Sequence, residues 1–479
     1  SHIGILLPPT VACALANAAV TLLRRTTVNL NYTSSEADLR FCAKEAGLKH
    51  VLTSRKMLEK KPVDLGVEWV FMEDLKEGVT GLDKLAAGFA AYVCPIAILE
   101  RWLRLTCIKP DDVITVIFTS GSTGEPKGVL LTHHNISATV DGADQVFQIE
   151  SNDVVLGVVP IFHSLGYLAT LWLPLCLEPK VVYHINPLDG RVIGELAAKH
   201  GATILFGTPT FLRTYIKRCE KEQFSKLDLV VVGAEKLPVD LATQFQEKFG
   251  VLPTEGYGAT ETTGPAAVNV PDHRCEMVHQ RGTKLGTIGR PLPGVVVRVV
   301  DPDSRELRPF NVEGLLEVKG YNVMLGYLNR PDKTAAVIHD GWYDTGDMAF
   351  VDDEGFIHIT GRLSRFSKIG GEMVPHIKIE ESLLSIIPPS ADEAEGPPLV
   401  VTAVPDAKKG ERIVVLHRPF AMPVGDVLKA LATKDLPNLW LPDAEAFVEV
   451  PAIPLLGTGK TDLKGVKQLA LERFAPAKA

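Results

Sequence analysis

The feature that most constrains this chain is a repeated alternation of short apolar runs with amphipathic helical segments. VVLGVVP at 154–160, KVVYHI at 180–185, ATILFGT at 202–208 and LDLVVVGAE at 227–235 are apolar and strand-length. RVIGELAAKHG and PVDLATQFQEKFG carry apolar residues at helical spacing, and each closes on a glycine, Gly201 and Gly250. Such alternation predicts parallel sheets covered by helices. After about residue 285 the texture turns β-rich, with TIGRPLPGVVVRVVD, GLLEVKG and FIHITGRLSRF separated by Gly/Pro turns. A last unit, from about residue 363 to the end, mixes strands and helices and holds a Pro/acid-rich loop at 388–398.

With 479 residues the chain is long enough for several packed units and needs no disulfide or metal staple. Lys+Arg number 50 and Asp+Glu 58, a net charge of −8, which argues against a nucleic-acid partner bound through a basic face. Seven cysteines are scattered without a CxxC pair, which reads as a reducing compartment with mostly buried thiols. The chain begins Ser-His rather than Met, so a native start upstream is expected. Residues 3–23 are uncharged but split by Pro8 and Pro9 into a strand and a helix. Residues 154–177 are uncharged and Pro-interrupted, suiting a buried strand and a core helix. LAAGFAAYVCPIAIL at 85–99 is too short to span a bilayer. It reads either as a packed core helix or as a one-sided membrane contact.

The densest local signal is TSGSTGEPKG at 119–128, directly after the apolar strand VITVIF. Small residues let backbone N–H groups approach an anion. Hydroxyls of Thr119, Ser120, Ser122 and Thr123 add donors, Gly121 and Gly124 add space, and Lys127 adds charge. A phosphate-cradling loop is the natural use. It is not a Walker A loop, since Gly128 follows Lys127. Gly459-Lys460-Thr461 is a decoy of the same kind, because Pro454 stands where a Walker A needs glycine.

With TSGSTGEPKG come GAEKL at 233–237, GYGATE at 256–261, YDTGD at 343–347, GRLSRFSKIGGEMV at 361–374 and PLLGTGK at 454–460. Together and in this order they resemble the adenylate-forming (AMP-binding) superfamily. LNYT at 30–33, VLTSRKMLEK, LFGTPTFL and RFSKIGGEMV bring the resemblance closest to the acyl-acyl-carrier-protein synthetase module of bifunctional 2-acylglycerophosphoethanolamine acyltransferases, and to long-chain acyl-CoA synthetases. The resemblance implies an α/β fold: an AMP-binding N-terminal domain over 1–361, made of helix-covered sheets plus a β-rich subdomain, then a small mobile α+β C-terminal domain over 362–479. No acyltransferase module is read within these residues.

By the same resemblance, Glu261 is a Mg²⁺ carboxylate and Thr260 contacts phosphate. Asp347 accepts the ribose hydroxyls, for which a carboxylate has paired acceptors, and Arg362 is the second ribose contact. Gly233, Ala234 and Glu235 lie along adenine, with Tyr257 stacking and Gly258 beside it. Lys460 bridges the substrate carboxylate and the α-phosphate. His163 in PIFHSLG sits by the acyl carboxylate. Ser364 takes the hinge position, where Asp or Lys is usual. Lys368 and Gly371 face the site when the thioester forms, Gly371 leaving room for a pantetheine arm.

The expected activity is ATP- and Mg²⁺-dependent conversion of a long-chain fatty acid to acyl-AMP. The acyl group then moves to a phosphopantetheine thiol of acyl carrier protein or CoA. No side-chain nucleophile is needed, because the thiol attacks the adenylate. The alternatives are an acyl-CoA synthetase with no carrier-protein role, a luciferase-like oxidase, and a silent acyl- or AMP-binding module attached to an acyltransferase. The expected location is the cytoplasm, at the inner face of a membrane.

Overall fold

A computed structural model describes residues 1–119, 126–274, 279–370, 372–387, 397–406, 408–434, 436–455 and 461–474. Within them lie two seven-stranded sheets. The first runs Gly326–Tyr327, Lys127–Thr132, Val113–Thr119, Thr26–Asn29, His2–Ile5, His50–Thr53, Glu68–Phe71. The second runs Arg290–Pro291, Gly264–Val268, Thr254–Ala259, Leu229–Val232, Ile204–Gly207, Val154–Gly157, Lys180–Tyr183. The expected parallel pairing holds through most of both sheets. It gives way at one side of each. Val113–Thr119 pairs antiparallel with Lys127–Thr132, and Thr254–Ala259 with Gly264–Val268. These switches matter, because the candidate site residues sit on them.

The apolar run 154–177 forms the strand Val154–Gly157 and then a helical stretch from Ser164 to Leu177 between the two sheets. Tyr167, Leu168 and Leu171 pack with Ile5, Ile114 and Ile117 of the first sheet. Ala169 and Leu173 pack with Val155, Ile204 and Val231 of the second. A π-turn over Leu168–Trp172 interrupts the helix. The Tyr183 hydroxyl donates to the Thr170 carbonyl there at 2.6 Å, giving that carbonyl of the irregular turn a partner. The two amphipathic helices, Gly190–His200 and Val239–Phe249, end on Gly201 and Gly250 with φ of +64° and +84°. The left-handed conformation is the reason glycine closes them.

A five-stranded sheet built from residues 295–362 follows. Another, from residues 366–449, carries the last unit. At the start of that unit Arg365 pairs with the part-buried Glu380, and Ser367 Oγ lies 2.6 Å from Nε2 of the buried His376.

One expectation fails outright. The stretch 85–99 is not a core helix. It forms parts of the helices Gly81–Tyr92 and Ile96–Trp102, and neither has a buried residue. Burial of the thiols holds for Cys13, Cys42 and Cys219, whereas Cys107 and Cys176 are exposed. Cys275 lies outside the described residues. No helix among the described residues is long and apolar enough to cross a membrane.

Candidate active site

Two cavities meet at the end of the second sheet. The smaller, about 160 Å³, is walled by Glu235, Glu255, Tyr257, Asp347, Ile359 and Arg362. The larger, about 480 Å³, is apolar, with Phe147, Val159, Leu165, Leu173, Phe206 and Phe211 in its wall. Ala234, Glu235, Gly256, Tyr257 and Gly258 border both. Gly258 can only be glycine, because a Cβ there would stand 1.8 Å from the Gly264 carbonyl oxygen. Ala234 is held at φ +67°, a strained conformation for a residue with a side chain, at the junction of the cavities.

Asp347 anchors the polar cavity. It lies on the strand Trp342–Val351 directly opposite Arg362 of the strand Ile357–Arg362. Arg362 Nε meets Asp347 Oδ1 at 2.7 Å, and Arg362 Nη1 donates to the Thr345 carbonyl at 3.0 Å. The Tyr257 hydroxyl donates to Asp347 Oδ2. Each carboxylate oxygen therefore has one protein partner already. A carboxylate offers about four lone-pair sites, so room for two more donors remains. Burial raises the Asp347 carboxyl above its ordinary range, against the opposing pull of Arg362 and of the Tyr257 hydroxyl. Burial and the adjoining carboxylate push the Tyr257 phenol well up, so it stays a donor.

A second chain of contacts joins the two sheets. Lys127 Nζ donates to the Tyr327 hydroxyl at 3.2 Å, and that hydroxyl donates to Glu261 Oε1 at 2.7 Å. Burial, reinforced by the nearby Glu261, raises the Tyr327 phenol. Thr119 pairs with Lys127 across the neck of the loop. Thr260 and His163 border the apolar cavity. The His163 ring is exposed and lies 4.5 Å from the Phe162 ring, centroid to centroid. Thr210 donates to Glu235 Oε2 at 3.0 Å.

Residues 1–328 match the family of AMP-binding enzymes. The chain belongs to that family.

Among AMP-binding enzymes the chain is 31% identical to a feruloyl-CoA synthase of Amycolatopsis over 359 residues, covering 74% of this chain and 69% of that protein. It is 31% identical to a long-chain-fatty-acid–CoA ligase of Bacillus subtilis, covering 75% of this chain and 62% of the other. The fold matches ATP-bound MatB from Rhodopseudomonas palustris with a TM-score of 0.76 at 24% identity, covering 98% of this chain and 88% of that one.

The structure thus gathers Thr119, Lys127, Gly233, Ala234, Glu235, Tyr257, Gly258, Thr260, Glu261, Asp347 and Arg362 around the two cavities and the Lys127–Tyr327–Glu261 contacts. Lys368 is not among them. Its ammonium pairs with Asp303, and its backbone N–H donates to Glu411 Oε2 at 2.8 Å, beside a separate polar cavity. Ser120, Gly121, Ser122, Thr123, Gly124, Gly371 and Lys460 lie outside the described residues.

Two residues of this candidate site are not marked by any motif. Glu255 is buried in the polar cavity, and burial lifts its carboxyl to about 7. It stands one place before the GYGATE motif, so adjacency was its signal. Tyr327 lies 200 positions from Lys127, and nothing local marks it.

Proposed function

We propose that the chain activates an apolar carboxylic acid with ATP, forming acyl-AMP and releasing pyrophosphate, and then acylates a phosphopantetheine thiol. The observation that carries this is the shared wall. A nucleotide held at Asp347, Arg362 and Tyr257 and an acid in the apolar cavity would meet along Ala234, Gly256 and Gly258. Relatives that are CoA synthases and ligases of aryl and fatty acids support the same reaction class.

In this reading Asp347 orients the ribose by accepting its hydroxyls, and Arg362 holds Asp347 in place. Thr119 and Lys127 present donors and charge to phosphate oxygens at the mouth of the loop, where negative charge grows as pyrophosphate leaves. Lys460 takes the cationic role at the acyl carboxylate. Glu261 is the residue that would hold Mg²⁺. One buried carboxylate, with no group of three metal-ligating side chains among the described residues, fits an ion held mainly by water and substrate phosphates. When bound, Mg²⁺ supplies charge neutralisation at the phosphates.

The substrate we favour is a long-chain fatty acid. A cavity of about 480 Å³ with phenylalanines and aliphatics in its wall suits an alkyl chain. Such an acid partitions into lipid, so the reading puts the work at the cytoplasmic face of a membrane. The acceptor is CoA or the same arm on acyl carrier protein. The test offers purified chain with ATP, Mg²⁺, CoA and holo-acyl carrier protein together, and either palmitate, octanoate or ferulate. The reading expects palmitoyl thioester first. Preferential ferulate use replaces the fatty acid with an aryl acid, and labelling of CoA alone removes the carrier protein.

A further inference from the structure

Between the strands Glu68–Phe71 and Val113–Thr119 the chain leaves the first sheet for a helical excursion. Its helices Gly81–Tyr92 and Ile96–Trp102 bury no residue at all. Leu82 is 78% exposed, Leu85 72%, Phe89 62%, Tyr92 92%, Ile96 74% and Trp102 72%. At about 100° per residue, Leu82, Leu85, Phe89 and Tyr92 fall on one stripe of the first helix, with Lys84 well away from it. So large an apolar face is not left to water without an occupant.

We infer that this helix pair docks on an anionic lipid surface. It deepens the membrane-face part of the function proposed above and does not depend on the chemistry. Charge favours that occupant. In a chain of net charge −8, residues 85–99 carry no charge, and Lys84, Arg101 and Arg104 stand exposed at the two ends. None of the three takes an ion pair among the described residues, whereas nearby Arg55 is paired with Asp74 at 2.7 Å. Asp83 is turned to its own helix, its carboxylate accepting from Thr80 N at 2.8 Å. Glu100 beside Arg101 is the other acid at the ends, so three bases stand against two acids, and this local basic excess matches anionic headgroups above an acyl layer. Tyr92 and Trp102 have the half-polar rings that suit that boundary.

A second copy of the chain fits less well. Ile98, 59% exposed, and Trp102 project from the opposite side of the second helix to Ile96. A flat protein interface would cover one side and leave the other wet, while an interfacial layer encloses both. Pro95 and the shortness of the run exclude a span.

The test is flotation of the whole chain with vesicles of phosphatidylglycerol and phosphatidylethanolamine, against vesicles of phosphatidylcholine alone, without nucleotide. Wild type should float with the anionic vesicles and less with the neutral ones. Combined Phe89→Ser, Tyr92→Ser and Ile96→Ser should lower the bound fraction about tenfold or more, by loss of apolar insertion. These side chains are mostly exposed, so their replacement removes little internal packing. Combined Lys84→Gln, Arg101→Gln and Arg104→Gln should erase the preference for anionic lipid. The inference is overturned if wild type floats with neither vesicle or if the Ser variant floats like wild type. It is also overturned if wild type is a dimer that the Ser variant makes monomeric. No outcome here bears on adenylation, so failure of one leaves the other standing.

Discussion

In the proposed reading Asp347 is the residue on which nucleotide binding turns. It is buried, paired with Arg362 and hydrogen-bonded by Tyr257, so its carboxyl is held in position before any ligand arrives. Hydrogen bonds to a charged group contribute about 1.5–3 kcal/mol each. Asp347→Ala should therefore raise the KM for ATP by about 10- to 100-fold. Steady-state kinetics with ATP varied would check this, and an unchanged KM would remove Asp347 from the site. Glu255 makes a second case. Its folded carboxyl titrates at about 7, above the ordinary 4.5, so the neutral form belongs to the fold. Ionisation costs stability as pH rises from 4.5 through 7, and the neutral form is fully favourable only below that window. Glu255→Gln should be more stable than wild type above about pH 7, by about 1–3 kcal/mol, with the gap closing toward pH 4.5. Thermal melts across that range measure it; a gap that widens on acidification would contradict the assignment.

At the scale of elements, the helical run between the sheets decides the shape of the apolar cavity. Gly166 lies where this run crosses the preceding loop, and a Cβ there would stand 2.0 Å from the Pro160 carbonyl oxygen. Gly166→Ala should cost about 1–3 kcal/mol by overpacking and shift Leu165 and Leu168 in the cavity wall. Denaturant unfolding and the chain-length profile of acid use should both change; a silent substitution would mean that the loop moves freely. The start of the last unit has its own pH dependence. Burial, then the charges of Arg365 and Lys467, lower the His376 imidazole from 6.5 to about 3. The neutral ring's stability is fully present above 6.5 and is lost as pH falls toward 3. Acidifying from about pH 7 to about pH 5 should cost up to about 2 kcal/mol in wild type and much less in His376→Gln. Hydrogen exchange of the strands Leu399–Asp406 and Gly410–His417 reads that unit directly. The strands and helices of 154–250 were legible because their apolar periods are local. The antiparallel turn at one side of each sheet was not, since pairing partners are long-range choices.

For the molecule as a whole, ordered motifs made the family legible, while the contacts between distant segments stayed hidden. Tyr327 completes the Lys127–Glu261 relay from 200 positions away, and no spacing rule reaches that far. Lys368 was expected at the site when the thioester forms; in this structure its ammonium pairs with Asp303, a residue outside every motif. The exposed helix pair looked the same in sequence as a core helix, because composition records apolarity and not what covers it. The proposed activity joins these scales, since it needs the nucleotide contacts, the apolar cavity and Lys460 to act together. Pyrophosphate exchange into ATP by the purified chain tests this most directly. The account predicts exchange that requires a fatty acid, and that falls about 10²–10³-fold in Lys460→Ala, the usual loss when one transition-state contact is removed. Exchange no faster with any fatty or aryl acid than without one, in a protein that binds ATP, would contradict it.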